Sequence, residues 1–322
     1  MNPFILPEIV AASANLNDAH FELPRSENLH SEFAKMFSTY LGCLQSGVRF
    51  ESEILLVTGH SGTGKTKEVD NLLTLFNASE AALPTGQNAR IVPCILDRKG
   101  GWKDLGKKTL RAMGYPIAGT SRKTQVEIWE LVVVQAKLQG IVGIHYDEAQ
   151  HIFAGRSEKE QEISLDSFKT LLKSHDWPLI LILSGVPELS GYVHQLDQLL
   201  RKVTHVPFND INLPEDYDVL NEIVCSFAMK SNMEIGVDLL TEEFLHRLVT
   251  AGAYRWGLVF EITNKASMTA SGEGASMLTM EHFNEVWVTK TRMHPIATPF
   301  THEAFETMFR REKPFQTALE ST

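Results

Sequence analysis

The sequence predicts an α/β protein: a central parallel sheet of about five strands carrying a nucleotide-binding loop, followed by a small helical domain. Three observations carry that expectation. An apolar run, Ile54 to Val57, feeds directly into Gly59-His60-Ser61-Gly62-Thr63-Gly64-Lys65-Thr66, the G-x-x-x-x-G-K-[ST] pattern of a phosphate-binding loop. A second apolar run, inside IVGIHYDEAQHIF at 141–153, delivers Asp147 and Glu148 at its carboxyl end, and LILIL at 179–183 is apolar throughout, as strands buried on both faces are. From Leu213 onward the apolar residues recur at helical spacing only.

Length and composition set the bounds. A chain of 322 residues, 43% hydrophobic and 22% charged, can bury the core of one large domain with a smaller one appended. Cys43, Cys94 and Cys225 stand far apart with no C-x-x-C pair, which argues for buried small hydrophobes in a reducing compartment and against a cysteine zinc site. The N-terminus has no basic start and only a broken apolar run, and no later run is long enough to span a bilayer. The expectation is a cytoplasmic protein with no membrane partner. A net charge of −10 argues against a surface that binds polyanions everywhere, yet permits a local basic patch.

In chain order, residues 1–48 read as an arm and a helix. The arm, 1–28, holds Pro3, Pro7 and Pro24 and reads as irregular: it wraps a neighbouring subunit, completes a pocket, or is a loosely packed end. Phe33, Met36, Phe37, Tyr40 and Leu41 then predict a helix from Leu29 to about Gln45, stopped at Gly47. In the loop that follows the first strand, Gly59, Gly62 and Gly64 let the backbone curl so that N–H groups converge on a phosphate chain. Lys65 should reach the β/γ-phosphates and the Thr66 hydroxyl should ligate Mg²⁺, at the positive end of a helix whose buried face is Val69, Leu72, Leu73 and Phe76.

RIVPCIL at 90–96 reads as a second strand, with Pro93 marking an edge position or a bulge. Helices are expected from about Lys103 to Met113 and from about Thr124 to Leu138, the second closed by Gly140. Between Arg98 and Lys123 stand Arg98, Lys99, Lys103, Lys107, Lys108, Arg111, Arg122 and Lys123 against a single acid, Asp104. In an acidic chain this is the candidate surface for a nucleic-acid backbone, against the plainer reading of a solvated helix face. Trp102, among these cations, either stacks on a base or sugar or simply packs.

Asp147 is the candidate Mg²⁺ ligand, directly or through its water shell, and Glu148 the residue that orients and polarises an attacking water. His145 reads as a core side chain, and Gln150 and His151 as helix-start residues with a lesser claim to sensing the nucleotide. Ser184, at the end of the fourth strand, is a candidate contact to the γ-phosphate or the water, and Arg201, ahead of a fifth strand HVPF at 205–208, a candidate for reaching a neighbouring subunit's γ-phosphate. Helices follow around Tyr217–Phe227 and Leu239–Leu248. Another starts near Gly252–Gly257, and Arg255 at its start could swing onto the phosphates. Thr269 to Ser276 reads as a loop, Leu278 to Val288 as a last helix, and Phe305, Met308 and Phe309 in the tail as either a partner-docking helix or one folded back on its own domain.

This order of parts resembles an AAA+ ATPase over roughly residues 29–290, with a nucleotide-binding core at 49–209, a helical lid at 210–290 and a tail at 291–322. Within that superfamily, KKTLRAMGYPI, DEAQHIF and GVPEL resemble the transposition regulators called TniB and TnsC. The resemblance implies ATP and Mg²⁺ as cofactors, ATP hydrolysis that times disassembly, and a homo-oligomeric ring or filament on duplex DNA. It further implies a transposase and a target-selection adaptor as partners. DNA contact would come from the region after the second strand, where it meets the basic stretch at Lys103, Lys107, Lys108, Arg122 and Lys123. Ser184 stands where that family often carries Asn or Thr. The alternative is an AAA+ ATPase that remodels or signals through proteins and does not touch DNA.

Overall fold

The computed structural model describes residues 10, 13, 16, 21, 23–96, 101–117, 122–195 and 200–317. The chain divides into two units, one formed by 23–61 and 65–208, the other by the described residues up to 22, by 62–64 and by 209 onward.

The first unit is a five-stranded sheet in the order β2-β3-β4-β1-β5, with every pairing parallel. The strands are β1 (Ile54–Thr58), β2 (Arg90–Ile95), β3 (Ile141–Asp147), β4 (Ile180–Gly185) and β5 (Val203–Pro207). Every residue of β1, β3 and β4 is buried, which is why these three read as largely apolar runs. β2 and β5 lie at the edges and are partly exposed. Pro93 sits on edge strand β2, and the register shifts between Arg90 and Ile91, so both readings of that proline's strand hold. On the outer side of β2, the Asn77 side chain accepts from the Ile91 N–H at 2.9 Å and donates to the Ile91 carbonyl at 3.0 Å.

Helix α1 runs Pro24–Ser46, five residues ahead of its expected start, and ends at Gly47 in the left-handed conformation. Pro24 explains the early start, since its fixed φ suits a first helical position, and Ser26 and Leu29 are buried from the first turn. Phe33 and Phe37 of α1 meet Phe76 of α2 (Lys65–Ala78) edge-on. On the other side of β2 lie α3 (Trp102–Ala112) and α4 (Gln125–Gln139), the latter opened by a capping box at Thr124 and closed by left-handed Gly140. Trp102 packs: its ring stacks on Trp129 at 4.4 Å and is buried. Helix α5 (Glu158–Leu172) adds Phe168, which meets Trp102 edge-on.

Gly106 sets the approach of α3 to α4, because a Cβ there would lie 2.7 Å from the Ile128 Cγ2 and 3.1 Å from the Trp129 ring. Gly106→Val is expected to cost about 1–3 kcal/mol of stability through overpacking. A denaturant midpoint equal to the wild type's would show slack between these helices instead. Tyr146 of β3 anchors α3 from below through a buried 2.8 Å hydrogen bond with Thr109. Burial pushes the neighbouring Cys94 thiol up to about 11, and Cys43, Cys94 and Cys225 are all free.

The second unit holds α7 (Tyr217–Lys230), α8 (Glu242–Ala251), α9 (Trp256–Gly272), α10 (Met280–Thr291) and α11 (Phe305–Met308); the short helix α6 (Glu188–Val193) belongs to the first unit. It is not helix only, because β6 (Glu234–Ile235) and β7 (Met277–Leu278) pair in parallel. α9 extends through Gly272, four residues into the segment expected to be a loop, with Ala270 buried among them, while 273–276 are non-helical as expected. The tail folds back on its own unit, with Phe305 and Phe309 buried, Phe309 and Phe315 against Trp287, and the Arg311 guanidinium 4.0 Å over Tyr254. Phe21 of the arm stacks on Phe227 at 5.1 Å within the same unit. No helix among the described residues is long and apolar enough to cross a membrane.

Candidate functional site

The parallel sheet brings the carboxyl ends of β1, β4 and β3 side by side, and the chemistry-bearing residues follow from that. Register pairs Val57 with Ser184 and Thr58 with Gly185, while Tyr146 lies beside Leu183, so Ser184 stands next to Asp147. The phosphate-binding loop leaves β1 at Gly59, whose N–H bonds the Gly185 carbonyl at 3.2 Å. Gly62 and Gly64 adopt φ of 86° and 94°, a region that disfavours side chains, so the two glycines are a backbone requirement of the turn. Helix α2 then starts at Lys65.

Lys65 is buried, and its ammonium donates to the Gly59 carbonyl at 2.7 Å and the His60 carbonyl at 2.9 Å. It therefore lies across the loop, with its charge where a phosphate chain would enter. The Thr66 hydroxyl donates to Asp147 Oδ2 at 3.0 Å, which joins the two candidate Mg²⁺ ligands across the sheet. No group of three His, Cys, Asp or Glu side chains suited to a metal occurs among the described residues. A hydroxyl and one carboxylate fit Mg²⁺, which takes few protein ligands and completes its shell with water and phosphate oxygens.

Glu148 has φ 54° and ψ 40°, a left-handed backbone that is uncommon for a residue with a side chain and that recurs at functional sites. It caps a 3-10 turn, Ala149–Ile152, which replaces the expected helix start. The Gln150 side chain donates to the Glu148 carboxylate and accepts from the Val186 N–H at 3.4 Å. A Cβ at Gly185 would overlap the Gln150 Oε1, so that glycine leaves room for the amide.

Ser184 is fully buried and donates to Asp147 Oδ1 at 2.6 Å, while its oxygen lies 2.8 Å from His145 Nε2. Its hydroxyl is thus engaged with Asp147, the acidic end of β3. Burial pushes His145 down to about 4, partly offset by the Asp147 charge, so the imidazole is neutral at pH 7. The spacing missed one further group. Asp70, one turn along α2 from Thr66, has its carboxyl raised by burial and by the charge of Asp147. A four-residue step on a helix was the available signal.

Arg201 lies exposed in the turn before β5. Arg255 belongs to the second unit, where it is buried at the N-terminal end of α9 and donates from Nη2 to the Glu312 carbonyl at 3.2 Å. The basic stretch is split. Arg98 and Lys99 lie outside the described residues; Lys103, Lys107 and Lys108 are half-buried on α3, and Arg111, Arg122 and Lys123 are exposed. Lys103, Lys107 and Arg111 follow one another at four-residue spacing along one side of α3. Glu127 connects the two ends of the stretch: its carboxyl is lowered first by the Thr124 backbone and hydroxyl and further by the charges of Lys123 and Lys103.

These features define a P-loop nucleotide-binding fold built on a five-stranded parallel sheet. Residues 48–193 match the family model described as AAA domain. The chain is similar in structure to Cdc6p from Pyrobaculum aerophilum, with a TM-score of 0.60 at 14% identity, covering 86% of this chain and 70% of that one. It is similar to the Aeropyrum pernix ORC1 protein, solved in complex with DNA, with a TM-score of 0.60 at 15% identity over 87% of this chain and 69% of that one. The ORC2 protein of the same organism, solved as ADPNP-ADP complexes, gives a TM-score of 0.56 at 14% identity over 88% and 74%. No curated protein matches the chain in sequence.

Proposed function

We propose that this protein is an Mg²⁺-dependent ATPase that assembles on duplex DNA. The observation that carries the reading is the contact of Thr66 with Asp147, which joins the phosphate-binding loop to the acidic strand end. Bound Mg²⁺ would neutralise charge developing on the phosphates. Lys65 and the loop N–H groups would hold the phosphate chain, Thr66 and Asp147 would hold the metal, and Glu148 would orient the attacking water and take its proton. Arg201, exposed before β5, serves a neighbouring copy's γ-phosphate in a ring or filament, so ATP holds the assembly together and hydrolysis loosens it. Arg255 is the candidate for a second arginine on the phosphates.

The basic side of α3 with Arg122 and Lys123 supports DNA as the partner, as does the structural likeness to an ORC1 protein solved with DNA. Within that class, the segments KKTLRAMGYPI, DEAQHIF and GVPEL favour a regulator of transposition that recruits a transposase and, with an adaptor, helps select the target site.

The test is salt-dependent binding to duplex DNA without nucleotide, with ADP and with a slowly hydrolysed ATP analogue. Nucleotide-dependent assembly on DNA is expected. Reversing charge at Lys107 and Lys108 should lower the salt slope by about two, one for each lost phosphate contact. A working ATPase that binds no DNA in any nucleotide state would move the reading to protein remodelling.

A further inference from the structure

Asp147 divides its two carboxylate oxygens between two environments. Oδ1 accepts from the Ser184 hydroxyl at 2.6 Å and from the Glu148 N–H at 3.0 Å, while Oδ2 accepts from Thr66 at 3.0 Å. The Ser184 hydroxyl has one proton, and an ionised carboxylate can only accept, so that proton goes to Asp147. Its oxygen must then accept from His145 Nε2, 2.8 Å away, which fixes the imidazole with its proton on Nε2. Among the described residues the Nδ1 atom is buried without a hydrogen-bond partner, so within them the ring is held through Nε2. The result is a chain of N–H···O–H···O⁻ across β3 and β4, whose buried members polarise one another. A hydroxyl to carboxylate bond of this length is of the stronger, charge-assisted kind.

We propose that His145 and Ser184 are positioning residues for Asp147, tying one carboxylate oxygen inward so that the other is presented beside Thr66 to Mg²⁺. The proposal rests on the nucleotide-site reading above. It gives Ser184 a task unlike contact with the γ-phosphate, and it gives His145, which the sequence offers only as core, a part in metal binding. Groups that orient a metal ligand typically change metal affinity by about 10–100-fold when removed.

The experiment is a Mg²⁺ titration of binding to a fluorescent ADP analogue, with a parallel measurement in EDTA. Ser184→Ala should raise the Mg²⁺ midpoint by about 10–100-fold while leaving the metal-free affinity unchanged. Ser184→Thr, which keeps the hydroxyl, should stay close to the wild type. In an Asp147→Asn background, Ser184→Ala should shift the midpoint no further, because a residue that acts through another is not additive with it. A wild-type midpoint in Ser184→Ala, or a full additional shift on top of Asp147→Asn, overturns the proposal. Should Ser184→Ala fail to fold, His145→Gln and His145→Leu decide the matter. Glutamine keeps a donor near Nε2 and should bind Mg²⁺ normally; leucine removes it and should not, and equal midpoints would sink the idea. A wild-type protein that bound no nucleotide, with or without Mg²⁺, would instead remove the nucleotide-site reading and this proposal with it.

Discussion

Lys65→Ala is expected to weaken nucleotide binding at least 100-fold. The Lys65 ammonium is buried and held by the Gly59 and His60 carbonyls at 2.7 and 2.9 Å, which fixes it in the curve of the loop. Its removal takes away hydrogen bonds between charged groups, each worth about 1.5–3 kcal/mol. Two such bonds to phosphate oxygens amount to about 3 kcal/mol or more, and each 1.4 kcal/mol is a factor of ten in affinity. Calorimetric titration of ATP into the variant measures this, with circular dichroism to show that the sheet is intact. A folded Lys65→Ala protein with wild-type affinity would refute the phosphate-binding role.

Glu148→Gln is expected to bind ATP and to lose turnover by about 10²–10⁴-fold, the usual contribution of a positioned general base. The amide keeps the size of the carboxylate but cannot take a proton from water. The binding site should survive, because Lys65 is held by the Gly59 and His60 carbonyls and Thr66 by Asp147, without Glu148's side chain. The Gln150 amide would face an amide in place of a carboxylate, so that pairing weakens while the backbone at 148 is unchanged. Phosphate release under saturating ATP measures the rate and nucleotide affinity the binding. Hydrolysis at the normal rate would assign the base elsewhere, and loss of affinity as well would make Glu148 a binding residue.

What the sequence disclosed is what local spacing encodes. The loop from Gly59 to Thr66 is contiguous, and the buried strands β1, β3 and β4 read as apolar runs, so the parallel sheet and its helical neighbours were legible. Helix ends were legible where a cap marked them, as at Gly47, Thr124 and Gly140. The interactions between strands were not. Ser184 meets His145 and Asp147 across thirty-nine and thirty-seven residues, and nothing in the local pattern at any of them announces the pairing. Arg255 and Glu312 are separated by fifty-seven residues in the same way. The strands β6 and β7, two residues each, are too short for alternation to show, and the small residues at the end of α9 hid its last turn behind a loop-like composition.

The outer margin of β2 has a consequence for how copies of this protein can meet. Along that margin the Ile91 N–H and carbonyl are already taken by the Asn77 side chain, and Pro93, two residues on and facing the same way, has no N–H to give. An incoming extended segment would find a broken row of partners where an ordinary edge offers a template. Strand addition is disfavoured on this side, which works against fibre-like accretion.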